Sequence, residues 1–381
     1  MPVTFVCLNP HKNKRRWMQM MLSAAGVVKF INAVPLGFIH YAESDTRAAL
    51  ALATATKQPR SAIARRAKLW LLRRQYAGSR AYFARDPNLV AVAWNGLNGT
   101  RRVFMDAAKD AGNKTLFFEL APFANRITID PRGVNFANSL PRDQAPYVTW
   151  ASKHVKDPEH WHKLRDTITQ RKSRAVADRT DANLPLTAPF IFVPLQVPGD
   201  SQLRIYGGAF KTVELFVDAI LEASVHCPKG WHIRIKEHPS AAPFVRDAID
   251  KSGVSNVVLD NTTDTFEQVK KAKLILTVNS SVGLEAMFFD KPVAACGDCF
   301  WAIDGIAAKA TTLKDIERIM ADPESVTYDT AARHAFLNYV DKCYYPELSA
   351  PANAAIIERI SGPDDNGFWD AQTARNADDL V

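Results

Sequence analysis

Lys273–Gly297 reads KLILTVNSSVGLEAMFFDKPVAACG. Leu274, Ile275, Leu276, Thr277 and Val278 form an apolar, β-branched run of the length of a buried strand, and Val282, Leu284, Ala286 and Met287 follow at helical spacing. The strand hands over to the helix at Asn279, Ser280 and Ser281, residue types whose side chains cap helix starts while the first-turn N–H groups point forward unpaired. A phosphate or carboxylate held there would meet N–H groups, two hydroxyls and the positive end of the helix dipole. An ordinary serine cap explains the same residues, so the junction alone names no ligand.

Working outward, Trp231–Pro239 reads WHIRIKEHP, where Ile233 and Ile235 alternate with Arg234 and Lys236 before the strand stops at Glu237, His238 and Pro239. Ligands of open α/β sheets collect outside the carboxyl ends of the strands, so His238 and the Ser280/Ser281 pair are expected to face one crevice. Between and around these segments strand and helix patterns alternate without interruption. Strands are expected at Phe190–Leu195, Trp231–Lys236, Val254–Leu259, Leu274–Val278 and Pro292–Cys296, and helices at Phe210–Val225, Ala242–Lys251, Thr265–Ala272 and Ser281–Phe289. That succession predicts a parallel sheet covered on both faces.

The amino-terminal portion alternates in the same way. Strands at Val3–Leu8, Leu89–Trp94 and Lys114–Phe118 are separated by helices at Arg15–Ala25, Asp45–Ala55, Ala62–Tyr82 and Arg101–Ala111. The third strand delivers Glu119 to its carboxyl end, and from Asn125 to Pro146 turn residues such as DPRGVN and ANSLPRD read as a polar loop, a wall for a site. After a helix at Pro158–Gln170, Arg171–Leu186 lacks apolar periodicity and is taken as the crossing between two doubly wound, Rossmann-like α/β domains. The expected division is 1–180, 181–345 and a carboxyl-terminal piece, 346–381, that packs back on the first domain.

KEHP followed some forty residues later by NSSVGLEAMFFDKPV resembles the paired His-Pro and Ser-Ser motifs of bacterial enzymes that use CMP-linked sugars. More closely the chain resembles the capsule polysaccharide synthesis family, whose characterised members are β-Kdo glycosyltransferases; Phe117–Asp143 and Phe192–Gly208 support the same family, and the resemblance spans roughly Asn95 to Trp301. It implies two Rossmann-like domains facing a cleft, the GT-B architecture, and retaining transfer of Kdo from CMP-β-Kdo to a lipid-linked or saccharide acceptor. It also places a nucleophilic Asp in a PGDSQ-like segment, here Asp200, beyond the Pro198-Gly199 turn, and an acid/base at Glu119. His238, helped by Lys236 and followed by Pro239, is the expected partner of the leaving phosphate; Asn279, Ser280 and Ser281 share that charge, and Glu285 is placed for ribose hydroxyls. Gln196, Gln202, Arg126 and Asn135 are candidate donors to the carboxylated sugar. Where other CMP-sugar enzymes carry two acidic residues before Gly, this chain has Glu119-Leu120-Ala121. Asp200 can equally be read as a loop cap. Rival readings are a transferase for another CMP-nonulosonate, such as a sialyltransferase, and a noncatalytic glycan- or lipid-binding member of a capsule-assembly complex.

Composition narrows the field. The chain has 381 residues, 47% hydrophobic and 23% charged, with a formal charge of +8. A pI near 9.2 implies an anionic partner, but aromatic and basic residues follow no nucleic-acid-binding signature, so no nucleic acid is expected. Arg60–Arg85, with seven arginines and one lysine around Trp70, Leu71, Leu72, Tyr76 and Phe83, reads either as a basic amphipathic helix resting on an anionic membrane surface or as a core helix with a solvated edge. No apolar run approaches the ~20 residues of a membrane span, and no signal-peptide pattern opens the chain, so a cytoplasmic protein, peripheral at the inner membrane, is expected. Cys7, Cys227, Cys296, Cys299 and Cys343 are scattered, and Cys296-x-x-Cys299 has no second pair to complete a zinc site. With no Asp-x-Asp and no clustered ligand set, metal-independent chemistry without a cofactor is expected, other capsule-assembly proteins being possible partners.

Overall fold

The computed structural model describes residues 3–169, 184–238 and 245–348. The Arg171–Leu186 crossing lies almost wholly outside the described residues, as do Pro239 and most of the carboxyl-terminal piece, 346–381. The described chain forms two compact units, one made of residues 3–140 together with 340–348, the other of the described residues between Pro141 and Tyr339.

In the first unit the strands are β1 (Thr4–Leu8), β2 (Val27–Ile31), β3 (Leu89–Trp94), β4 (Thr115–Leu120) and β5 (Ile127–Asp130), and the helices are α1 (Lys12–Leu22), α2 (Ser44–Ala53), α3 (Ala62–Phe83) and α4 (Gly99–Asp110). The sheet order is β2-β1-β3-β4-β5, parallel except for the β4–β5 hairpin. Two of these strands depart from expectation. β2 is an edge strand of half-exposed residues, without the apolar run that marks its neighbours, and β5 occupies part of the segment read as a polar loop. The hairpin also extends β4, so Glu119 stands inside the strand opposite Thr128 and not beyond its end.

The second unit contains α5 (Ala145–His154), α6 (His162–Arg165), β6 (Phe190–Pro194), α7 (Ser201–Tyr206), α8 (Val213–Ala223), β7 (His232–Lys236), α9 (Val245–Ser252), β8 (Val257–Leu259), α10 (Thr265–Lys271), β9 (Leu274–Thr277), α11 (Ser281–Met287), β10 (Val293–Ala295), β11 (Ala308–Lys309), α12 (Leu313–Ala321) and α13 (Thr330–Tyr339). Its parallel sheet has the order β11-β10-β9-β6-β7-β8, as the unbroken strand–helix alternation requires. β6, β7 and β9 are fully buried, which is why they read as continuous apolar or alternating runs. Their inward side chains join Val217, Ile220, Ile316 and Met320 of α8 and α12 in one core.

The unit boundary falls at Pro141, not at residue 181. Tyr147 and Trp150 of α5 pack edge-on against Phe336 and Tyr339 of α13, and Trp161 contacts Phe288 and His334. Aromatic burial therefore ties residues 141–169 to the second unit. The chain rejoins the first unit at Val340: Leu348 donates its N–H to the Asn125 carbonyl and packs on the first unit's core.

Candidate functional site

Each sheet reverses its strand order once. In the second unit the reversal lies between β6 and β9, because β7 and β8 continue to one side of β6 while β9, β10 and β11 build on the other. Crossover helices diverge there, opening a crevice at the strands' carboxyl ends. The crevice holds a hollow of about 110 Å³, lined by Pro194 and Leu195 after β6, Lys236, Glu237 and His238 after β7, Thr265 and Phe266 of α10, and Ser280, Ser281, Val282 and Glu285, with Thr169 at its edge. His238 and the serine pair, forty-odd residues apart in sequence, thus share one hollow. A hollow of this size has room for a small anionic group such as a phosphate.

Ser280 is the cap of α11: its Oγ accepts the Val282 N–H at 3.3 Å. Ser281 Oγ donates to Glu285 Oε2 one turn on, at 3.5 Å, and Glu285 is buried, not a surface glutamate. Gly283 lets α11 lie directly on Trp301; a Cβ there would stand 2.5 Å from the indole. Substitution at Gly283 would push the helix end, and both serines, out of position.

Lys236 and Glu237 are engaged elsewhere. Lys236 Nζ donates to the carbonyls of Asn261 (3.0 Å) and Thr263, joining the end of β7 to the loop after β8, and burial lowers its pKa against the opposing pull of Asp260 and Asp264. Expected to help with a phosphate, Lys236 has its ammonium committed to carbonyl oxygens. Glu237, quoted in the KEHP segment but given no role, accepts the Val245 N–H with one oxygen and the Asn261 amide with the other, so the residue before His238 is tethered to the start of α9 and to the loop after β8. Beneath them Arg234 and Asp260 form a buried ion pair, and Thr263 also donates its N–H to Asp260. Burial raises the Asp260 pKa, but the Thr263 hydrogen bonds and Arg234 outweigh it and hold the carboxyl at about 2. His232, against the same guanidinium, is pushed down to about 4 by burial and by Arg234.

Asn279 and Gln196 bind each other. Gln196 Nε2 donates to Asn279 Oδ1 at 2.9 Å, while Asn279 Nδ2 donates to the carbonyls of Gln202 (3.2 Å) and Asp298 (3.3 Å). These side chains, expected on a ligand, instead lock the β6–α7 loop to the β9–α11 junction. The locked loop carries Asp200, whose carboxylate caps α7 by accepting the Gln202 N–H at 2.8 Å. The capping reading is therefore realised, and Asp200 is not among the described residues that line the hollow. Gln202 takes part through its backbone on both counts.

In the first unit Glu119 accepts from Trp94 Nε1 (2.9 Å) and Asn95 Nδ2 (3.1 Å). Asn95 has φ +64°, the left-handed region, so the chain turns sharply at the end of β3 beside this carboxylate. Arg126 is not a sugar-binding side chain: it donates to Asp341 Oδ1 and to the carbonyls of Asp341 and Tyr345, clasping the returning carboxyl-terminal segment. Asn135 turns the chain with φ +55° and offers its carbonyl to Asn138. Among the described residues no group of three or more His, Cys, Asp or Glu could hold a metal ion, and Cys296 and Cys299 are buried thiols whose pKa values burial raises. None of the described helices is long and apolar enough to cross a membrane.

Residues 162–345 match the model of the family described as capsule polysaccharide biosynthesis protein. Protein FixF of Sinorhizobium fredii (strain NBRC 101917 / NGR234) is 31% identical over 234 residues, 61% of this chain and 54% of that protein. The capsule polysaccharide export protein KpsS of Escherichia coli is 24% identical over 184 residues, 46% of each chain. This chain thus spans about half the length of these curated relatives. Among solved structures, Thermosulfurimonas dismutans KpsC, β-Kdo 2,7 transferase, overlaps 87% of this chain and 89% of its own at 11% identity and TM-score 0.48. The matched residues lie almost wholly in the second unit and include the His238–Ser280 hollow, so this part of the chain is similar to the capsule polysaccharide biosynthesis family.

Proposed function

We propose that the protein is a retaining glycosyltransferase that moves Kdo from CMP-β-Kdo to a lipid-linked or glycan acceptor in capsule polysaccharide assembly, working at the anionic cytoplasmic face of the membrane. The observation that carries this reading is the hollow shared by His238, Ser280 and Ser281 at the strand-order reversal. Its size and donors suit the single phosphate of a CMP-sugar. In the reaction the Asp200 carboxylate attacks the anomeric carbon, the bond from that carbon to the phosphate oxygen breaks, and the departing electron pair stays on the phosphate, where His238 and the serine hydroxyls stabilise it. Glu119 then takes the proton of the acceptor hydroxyl, whose oxygen attacks the same carbon and expels Asp200. Two inversions give retention. One phosphate leaves with charge that these donors can balance, so the reading requires no divalent ion.

The test is intact-protein mass spectrometry with CMP-Kdo generated in place. A Kdo-sized adduct in wild type that is absent in Asp200→Asn supports the reading, because Asn keeps the α7 cap while removing the nucleophile. An adduct of equal yield in Asp200→Asn overturns the nucleophile assignment. The noncatalytic alternative has one observation in its favour, the engagement of both Glu119 oxygens by Trp94 and Asn95; it predicts CMP binding without any transfer.

A further inference from the structure

At its own reversal of strand order, between β1 and β3, the first unit opens a hollow of about 600 Å³, with Lys57, Lys68 and Arg101 in its lining beside the exposed Leu36 and Leu71. An apolar surface runs outward from these two leucines over the start of α3. Residues 61–67 of the chain, the Ser61 cap and the first turns of that helix, are all exposed, and contact with the unit's core begins further on, at Leu69, Leu72 and Tyr76. The cap, whose Oγ accepts the Ala64 N–H at 3.2 Å, steadies turns that would gain more from a face to pack against. Along them Ile63, Ala67, Trp70 and Leu71 recur at i, i+4, i+7 and i+8, one stripe of the helix, with Ile63 80% and Trp70 51% exposed.

The 35–39 segment widens this stripe, since Leu36, Phe38 (78% exposed) and Ile39 also stand in water. Gly37 lies so close to α3 that a Cβ there would be 2.6 Å from the Gly78 backbone nitrogen. The Gly37 N–H donates to the Arg74 carbonyl at 2.9 Å, Arg74 Nη1 donates to the Phe38 carbonyl at 3.2 Å, and the guanidinium lies over both the Phe38 and Trp70 rings. Segment and helix are thereby joined into one fixed apolar surface, of the kind that marks a contact face. Charge decides what it meets. No acidic residue occurs from Thr46 to Arg85. Arg73 is spent on Asp45, whereas Lys57, Arg60, Arg65 and Arg66 are exposed and form no ion pair among the described residues. A second copy of the chain would set these cations against their own kind. A bilayer containing anionic lipid instead offers phosphates to the cations and an acyl boundary to the rings.

We infer that the start of α3 and the 35–39 segment form a membrane-docking surface, with Phe38, Ile39, Ile63 and Trp70 entering the boundary between headgroups and acyl chains while Arg60, Arg65 and Arg66 lie over lipid phosphates. The inference deepens the proposed function by naming the surface that meets the membrane; the binding does not depend on what is transferred. The test is co-sedimentation of the full-length protein with large vesicles of phosphatidylcholine alone, and of three parts phosphatidylcholine to one of phosphatidylglycerol, at low and high salt. Binding to the mixed vesicles is expected, weakening as salt rises, with little binding to phosphatidylcholine. Phe38→Ser and Trp70→Ser should each lower partition into mixed vesicles about tenfold, and Arg65→Gln and Arg66→Gln about fivefold each, the arginine effect fading at high salt. All four positions are exposed, so the thermal midpoint should stay with wild type, and unchanged CMP binding separates this result from the fate of the donor reading. The inference is overturned if Phe38→Ser and Trp70→Ser sediment as wild type does, if phosphatidylcholine alone binds as tightly as the mixture, or if the chain is a dimer in solution that Trp70→Ser dissociates.

Discussion

The two hollows occupy the same topological place in their sheets and are built in opposite ways. In the second unit the side chains around the hollow bind one another first: Lys236 and Glu237 to Asn261, Gln196 to Asn279, Asn279 to Gln202 and Asp298. What results is small and rigid. In the first unit the hollow is several times larger, its cations stand at an open mouth, and its rim is apolar. A tethered pocket suits one small group and a wide one a larger ligand. Common topology therefore fixes where ligands gather, and the surrounding hydrogen bonds decide which.

This contrast breaks most plainly at Asp200. Asp200→Asn should lower sugar transfer by on the order of 10⁴ or more, the scale of losing a nucleophile, with a thermal midpoint close to wild type because the cap survives. Transfer at the wild-type rate would remove Asp200 from the chemistry. His238→Ala comes next, with an expected loss of about 10²–10³ in kcat, as for one donor to a developing charge. A kcat within about twofold of wild type would take His238 away from the leaving phosphate.

The rigidity of the second unit is tested by Asp260→Ala, which leaves Arg234 buried without its partner; urea unfolding should register a loss of about 3–5 kcal/mol. Ser280→Ala, removing the α11 cap, should cost only about 1 kcal/mol. A separate effect is one of pH. His232 is held at about 4 against 6.5 unfolded, so the unfolded chain takes up more protons between these values and stability falls as pH drops from 6.5 towards 4. Asp260, at about 2 against 3.8, adds a loss at still lower pH. His232→Gln should flatten the first part of that fall in the thermal midpoint, and an unchanged slope would show that His232 is not its source.

Most of the second unit was legible before any coordinates, since each buried strand carries its own apolar run and the expected ends of β6, β7 and β9 lie within a residue of those observed. The first unit was less so. β2 exposes part of every residue at a sheet edge, and β5 is four residues followed at once by Pro131 and Gly133, so neither presents a local signal strong enough to outweigh its turn neighbours. The same divide runs through the site. His238 and Ser280 could be paired because both end strands of one sheet. Arg126 could not be understood alone: its partner Asp341 is 215 residues away, on a segment whose return to the first unit no short-range pattern encodes. The partners of Lys236 and Asn279 could not be read either, because residue type shows what a side chain can bond, while the fold decides which partner reaches it first.

The account stands on one phosphate being held by His238 and the serine pair together. Titration with CMP and with cytidine tests this directly in wild type, His238→Ala, Ser281→Ala and the double variant. The account predicts that each single change weakens CMP by about tenfold, that the double change costs less than the product of the two, and that cytidine binding stays constant throughout. CMP affinity unaltered by His238→Ala, or CMP and cytidine falling together, would contradict it.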